Sequence, residues 1–293
     1  MSSMPHTAPA PSSLDTNLRA SHARSLTRRM LAGEGAVELT AYRVGETLSS
    51  AVHGVSGNGQ LVVADIPNLF HSLGAFHTAD HIDVRMDILK DSSDHALALR
   101  LASLHLLGTL RWCRDAEEVA GLGLRGHLAD LVDDLGPRVR VGVVATQRLL
   151  LHDCSGVTVH GLATISEAAT AAPATDALNG AVLATTTATL AEIADAVMDG
   201  RLPGWAESLD LPDAENLAVD QAHCVDVDRH CVTLARFSED RAWVVQVPLQ
   251  LPSHALPGQD GVAVWQQVLD ALPSRRGVGS GAADLRGAGQ ATV

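Results

Sequence analysis

The chain has 293 residues, 46% of them hydrophobic and 19% charged, and it carries a formal net charge of −13. This apolar content is sufficient for the core of one large domain or of two modest ones. An acidic surface repels phosphate backbones and anionic lipids, so we expect neither nucleic acid nor a membrane as a partner. The sequence has no apolar run of transmembrane length, and residues 1–13 lack the apolar centre of a signal peptide. We therefore expect a cytoplasmic protein with a disordered leader over 1–13.

The first part of the chain predicts a helix followed by a series of strands. The helix is expected over 14–31, with Gly33 as its terminator. Strands are expected over 36–42, 47–55 and 60–64, and Gly57-Asn58-Gly59 is a strong turn signal before the third. A short helix over 67–76 precedes a strand over 81–89, in which apolar and polar residues alternate. A longer apolar strand over 97–112 contains Gly108, which indicates a bulge or a bend.

The remaining patterns alternate between helices and short strands. Asp115 is expected to cap a helix over 115–135. Two later helices are expected over 190–198 and 260–272. The further strands are expected over 139–145, 148–152, 157–160, 219–227, 231–237 and 243–248.

Together these patterns predict an α+β fold with two domains. The strands of the first part, about eight in number, suit a small closed or split N-terminal β-barrel with flanking helices. We expect this barrel domain over 14–165 and a smaller C-terminal α+β domain over 181–275, joined by a linker over 166–180. The Gly- and Ala-rich residues 276–293 are expected to form a disordered tail.

The cysteines and their histidine neighbours do not predict a metal site. The four cysteines include no CxxC pair, which favours free, buried thiols. Two pairs of possible zinc ligands lie close together, at His223-Cys224 and His230-Cys231. The segment has the pattern of a hairpin, and adjacent strand residues point to opposite faces, so each pair can offer one ligand to a shared ion. Two ligands are too few for structural zinc.

Four segments occur in an order that is typical of a known family. They are Ser49-Ser50-Ala51-Val52, Gly57-Asn58-Gly59, Leu61-Val62-Val63 and Asn68-Leu69-Phe70-His71-Ser72-Leu73. In this order they resemble the opening of the pyridoxamine-phosphate-oxidase-like, FMN-binding split β-barrels, in the branch concerned with haem utilisation. The strand over 99–112 is similar to a later strand of that family, and residues 225–234 are similar to a trailing C-terminal α+β domain of unknown function.

The resemblance implies a site that binds haem or FMN. The candidate cofactor-binding residues are Ser49, Ser50, His53, His71 and Arg111. His71 would face the groove of the barrel, the two serines would meet a phosphate, and Arg111 stands at a strand end where arginine often contacts anions. The candidates for an axial haem ligand are His53, His71, His105 and His254. No catalytic residue is assigned.

Two functions remain open at this point. The first is a flavin- or haem-binding protein of haem or iron utilisation, which as an enzyme would degrade haem oxidatively. The second is a non-catalytic binding or regulatory module that acts through a protein partner. The second is favoured because Leu73 and Gly74 stand in place of the family's Asn, and residues 152–156 in place of its Gly-Phe-Gly.

The resemblance also implies a homodimer. The apolar residues 99–110 offer an interface for a second copy, and the alternative is that this strand belongs to the core.

Overall fold

The structure is a computed structural model of the chain. It describes residues 13–49, 51–67, 74, 76, 79–94, 97, 99–166, 176–209, 220–238, 241–249 and 259–272. These residues form an α+β fold with a nine-stranded sheet, a four-stranded sheet and helices packed on both. The predicted α+β class is confirmed.

The larger sheet and its helices come first in the chain. Their elements are α1 (Ser13–Leu31), β1 (Ala36–Ala41), β2 (Glu46–Leu48), β3 (Val52–Val55), β4 (Leu61–Asp65), β5 (His81–Asp91), β6 (Arg100–Trp112), α2 (Ala116–Gly121), α3 (Gly126–Leu135), β7 (Arg140–Ala145), β8 (Arg148–Asp153), β9 (Gly156–Gly161) and α4 (Leu162–Ser166). The smaller sheet follows with α5 (Asp176–Leu183), α6 (Thr187–Met198), β10 (Trp205–Leu209), β11 (Ala222–Val227), β12 (Cys231–Phe237), β13 (Ala242–Pro248) and α7 (Gln259–Asp270).

The larger sheet forks at β6. Its main path runs β2-β1-β5-β6-β7-β4-β3, with every neighbouring pair antiparallel. On one edge of β6, residues 109–112 pair with β7, whereas residues 102–105 pair with β8, which in turn carries β9. One thirteen-residue strand therefore supports two diverging branches of the sheet.

Gly108 lies at the fork, between the two pairing segments of β6. A Cβ at this position would stand 2.6 Å from the carbonyl oxygen of Ala145, so only glycine allows the β7 backbone to approach this closely. Of the bulge or bend expected at Gly108, the bulge is wrong, because the ladder with β5 runs through Val84 opposite Gly108 without interruption. The register shift lies instead between Lys90 and Asp91.

The core of the first part lies between α1 and the inner face of the larger sheet. The alternation predicted for β5 is confirmed, since Ile82, Val84, Met86 and Ile88 are buried. The apolar side of α1 contributes Leu26, Met30 and Leu31 to the same core. Fully buried side chains of this kind contribute about 1.5 to 3 kcal/mol each.

The core of the smaller sheet is separate and centres on Trp265 of α7. This indole is 1% exposed, and its Nε1–H donates to Oγ1 of Thr185 over 3.2 Å. The strand order is β10-β13-β12-β11, and α6 packs its buried side against this sheet. β11 and β12 form the hairpin that the sequence predicts.

Several element boundaries differ from the sequence prediction. The helix expected over 115–135 is divided into α2 and α3, because Gly123 and Gly126 adopt positive φ values of 61° and 55°. The expected cap is confirmed, with Asp115 accepting a hydrogen bond from the backbone N–H of Glu118 at 2.9 Å. Helix α5 begins within the expected linker, and β10 has no counterpart in the prediction.

Within the described residues, no single helix has the length and hydropathy needed to cross a membrane. Ala177–Leu183 and Thr187–Met198 reach that threshold only together, and they meet at a 99° bend.

Candidate functional site

The structure places the predicted cofactor residues at separate positions. Ser49 is exposed after β2. His53 is 2% exposed in β3, and its Nε2 lies 2.5 Å from the carbonyl oxygen of Met30; burial lowers the pKa of His53, and this hydrogen bond offsets part of that effect. Arg111 pairs with Glu118 at the start of α2. Ser50, His71 and His254 lie outside the described residues.

Within the described part of the chain, Ser49, His53 and Arg111 are not joined by a hydrogen bond or an ion pair: His53 contacts Met30, and Arg111 pairs with Glu118. Their role in binding a cofactor therefore stays a prediction. The chemistry-bearing side chains that the fold does bring together lie elsewhere, on the side of the larger sheet that faces away from α1.

We call this second side the outer face. Because side chains alternate along a strand, residues 102, 104 and 106 of β6 point into the core and residues 103, 105 and 107 point outward. The pairing registers place outward residues of β5, β6, β8 and β9 side by side. The outer face comprises Arg85, Asp87, Ser103, His105, Leu107, Arg148, Leu150, His152, Val157 and Val159.

A hydrogen-bonded chain of three side chains lies at the centre of the outer face. His105 stands opposite Asp87, and its Nδ1 contacts Oδ1 of that carboxylate. On the other side of the ring, Nε2 lies 3.0 Å from Oγ of Ser103, two residues earlier on the same strand. The guanidinium of Arg85 also holds this carboxylate, with Nε 3.0 Å from Oδ1 and 2.8 Å from Oδ2 of Asp87.

The same face exposes an apolar surface and a second imidazole. His152 meets His105 edge to face, with 5.0 Å between the ring centroids. The exposed fractions of the apolar side chains are 64% for Leu107, 37% for Leu150, 60% for Val157 and 61% for Val159. Adjacent exposed apolar residues on neighbouring strands are typical of a surface that binds something.

Charges around the apolar surface are balanced. Arg85 lies opposite Leu107. Arg148 precedes Leu150 by two residues on the same side of β8, which separates them by about 7 Å along the strand. The acidic and basic groups on or beside the outer face are Glu38, Asp83, Asp87, Arg43, Arg85 and Arg148. Three acids and three bases leave this surface near neutrality in a chain whose net charge is −13.

Two kinds of chemistry use a histidine held in this way. The order serine, histidine, aspartate is that of hydrolases with a serine nucleophile, which also need N–H donors for the oxyanion. Here residues 102–105 pair on one side with β5 and on the other with β8. The backbone N–H groups next to Ser103 therefore belong to the hydrogen-bond ladders of the sheet and do not serve as donors to an oxyanion. The other use is metal ligation, in which a carboxylate orients the histidine through the nitrogen that does not bind metal. The second use fits the arrangement better.

A bare metal ion does not fit the described residues, because no three His, Cys, Asp or Glu side chains among them converge suitably. A haem iron needs only one or two ligands from the protein. A cleft of ≈ 940 Å³ opens at the fork, and its described lining of Gly, Asn, Gln, Leu, Val, Ala and Thr carries no ionisable side chain. The outer face therefore holds the stronger candidate site.

The sequence contains part of the signal for this site. The alternation over 81–89 places Asp87 on the polar side, and His105 is among the candidates for an axial ligand. What sequence reasoning cannot supply is the register that sets Asp87 opposite His105 and Ser103 opposite His152. A shift by one residue would turn His105 into the core.

No family model matches the sequence, and no curated protein matches it. Solved structures with some similarity exist. One is a haem-binding protein from Mycobacterium smegmatis, 15% identical, with a TM-score of 0.40 over 90% of this chain and 100% of that one. Another is a protein from Clostridium acetobutylicum related to general stress protein 26 of the pyridoxinephosphate oxidase family, 11% identical, with a TM-score of 0.32 over 52% of this chain and 98% of that one.

A putative general stress protein 26 from a Jannaschia species is 12% identical, with a TM-score of 0.32 over 46% of this chain and 81% of that one. TM-scores at or below 0.40 leave the function to be argued from the contacts of the chain itself.

Proposed function

We propose that this chain binds haem on its outer face, with Nε2 of His105 as the axial ligand, and that it serves haem or iron utilisation. The observation that carries the proposal is the contact between His105 Nδ1 and Asp87. A carboxylate on Nδ1 fixes the ring and makes Nε2 a better donor to iron. Bound haem would supply oxidation–reduction chemistry and oxygen activation.

The surroundings of His105 also fit a porphyrin. Leu107, Leu150 and Val159 offer apolar area to the flat macrocycle. Arg85 and Arg148 are placed to meet the two carboxylates at its edge, where guanidinium groups bind well. FMN fits less well, because its phosphate needs converging donors and the uncharged cleft at the fork offers no charged side chain among its described lining residues.

Titration with haemin tests the proposal. Wild-type protein should develop a Soret band and saturate, and His105→Ala should weaken haemin binding by about 100-fold because the axial bond is lost. Asp87→Asn should weaken it by about 10- to 100-fold, because the ring is no longer held by a carboxylate. The matched control is His127→Ala, an exposed histidine of α3, which should bind as wild type does.

Equal binding by the His105→Ala and His127→Ala proteins would show that His105 is not the ligand. A protein that takes up neither haemin nor FMN would favour the second candidate, a non-catalytic module that acts through a protein partner. The specific observation behind that candidate is the exposed apolar surface itself, which serves a protein partner as readily as a porphyrin.

The outer face is also the proposed contact of a homodimer, in which the second copy covers the haem. Among the described residues, β9 pairs only with β8, so its other edge and its exposed valines are open to a second chain. A net charge of −13 opposes self-association elsewhere, whereas this near-neutral apolar surface can meet its own copy without repulsion.

A charge placed on β9 should separate the two copies. We expect Val159→Lys to convert a dimer into a monomer in size-exclusion chromatography with light scattering, because each copy would have to bury a lysine ammonium in an apolar contact. The control is Val44→Lys, at a residue that is 59% exposed in the turn between β1 and β2 and should leave the dimer intact. A wild-type protein that is monomeric at all concentrations would contradict the dimer.

A further inference from the structure

Both ring nitrogens of His105 have a partner in the structure. Asp87 also accepts a hydrogen bond from Arg85, and an ionised carboxylate can only accept, so a neutral imidazole at this position carries its proton on Nδ1. Nε2 then carries the lone pair. The hydroxyl of Ser103, 3.0 Å away, is the donor to that lone pair.

We infer that Ser103 competes with the bound haem for Nε2 of His105. The Ser103 hydroxyl would then lower the affinity of the site for haem and raise the rate at which haem dissociates. This inference rests on the proposed haem site. Nε2 has one lone pair, and a hydrogen bond from Ser103 and a bond to iron cannot use it together. Loading the site therefore requires the hydroxyl to leave.

The fold lets Ser103 leave without moving the backbone. Residues 102–105 are held on both sides by the ladders with β5 and β8, so the main chain and His105 stay in place. Rotation about the Cα–Cβ bond of Ser103 takes its hydroxyl to another staggered position. The cost of loading is the loss of one hydrogen bond between neutral groups, which corresponds to about a 2- to 10-fold weaker affinity.

A matched pair of variants isolates the hydroxyl. Ser103→Thr keeps the hydroxyl, and Ser103→Val has a methyl group where threonine has its hydroxyl. The two variant side chains therefore have nearly the same shape. Both residues are β-branched and suit a strand, so both variants should fold. We expect the Val variant to bind haemin about 2- to 10-fold more tightly than the Thr variant. The Val variant should also release haemin more slowly to apomyoglobin, by a similar factor, since affinity differences of this kind arise mostly in dissociation.

Metal-free protoporphyrin IX is the second probe. It offers the same apolar plane and the same two carboxylates but no iron, so it cannot take the lone pair of His105. The Thr and Val variants should bind it equally. If the affinities of the Thr and Val variants differ by the same factor for haemin and for protoporphyrin IX, residue 103 acts through its shape or polarity. That result would overturn the inference that Ser103 competes with iron.

The outcomes also separate this inference from the haem proposal. Equal haemin affinities of the Thr and Val variants, with binding still dependent on His105, would overturn the role of Ser103 and leave the haem site standing. Wild-type protein that binds no haemin, or whose binding is indifferent to His105→Ala, would overturn both.

Discussion

Replacing Arg29 by alanine is expected to lower the free energy of unfolding by about 3 to 5 kcal/mol, among the largest effects of any single substitution in this chain. The side chain of Arg29 is 13% exposed and leaves α1 toward the smaller sheet. Its guanidinium holds Asp226 through two bonds, of 3.0 and 2.6 Å, and lies 3.4 Å from Asp228. Removing it leaves two buried carboxylates without their main counter-charge, and desolvated charges of this kind are costly.

The Arg29 contact joins the two parts of the fold. Lys90 of β5 adds to it, 3.3 Å from Asp226 and 2.8 Å from Glu34. Nearby, the backbone N–H of Ser93 donates to the carbonyl of Val225 at 2.9 Å, so the tip between β5 and β6 binds the edge of β11. Loss of Arg29 should therefore loosen the smaller sheet from the larger one as well as reduce overall stability.

Urea unfolding followed by circular dichroism measures the Arg29 effect. The matched control is Arg24→Ala, an exposed arginine on the same helix, which should change stability by no more than about 0.5 kcal/mol. In a double-mutant cycle, Asp226→Asn should cost less when Arg29 is already alanine, because the two groups share one interaction. Equal losses for Arg24→Ala and Arg29→Ala would rule out the ion pair as the main link between the two parts.

The sequence predicts well those elements whose side chains follow a regular pattern. The helix from residue 14, the alternating strand β5 and the hairpin of β11 and β12 all appear where expected. Each is identified by local periodicity or by turn residues, which act over a few positions. The division between α2 and α3 was missed because it depends on the backbone conformation of Gly123 and Gly126, whose residue type alone permits either state.

The candidate site depends on contacts between residues that are distant in the chain, and this is why sequence reasoning does not assemble it. Asp87 and His105 are eighteen residues apart, and His152 is further still. They meet only because β6 pairs with β5 on one edge and with β8 on the other, before the fork at Gly108. The sequence offers many histidines, and only the register shows that His105 is the one opposite Asp87.

The stability of this protein should fall as the pH is lowered through the range in which Asp226 becomes protonated. Burial alone would raise the pKa of Asp226, but the positive charge and hydrogen bonds of Arg29, with the charges of Lys90 and His22, outweigh it and lower the pKa from 3.8 to about 2. A carboxyl whose pKa is depressed on folding stabilises the folded state fully above the unfolded value, and that contribution disappears as the pH falls to the folded value.

The corresponding loss between pH 5 and pH 2 is about 2 kcal/mol from this one group. Asp226→Asn cannot titrate, so its unfolding free energy should change less steeply with pH over this interval than that of the wild type. The difference between the two slopes isolates Asp226 from the other acids of the chain, which titrate in both proteins. Parallel pH profiles of the unfolding free energy for the two proteins would mean that Asp226 has the same pKa in the folded and unfolded chains. Such a result would contradict the stabilisation of the Asp226 carboxylate by the two hydrogen bonds from Arg29.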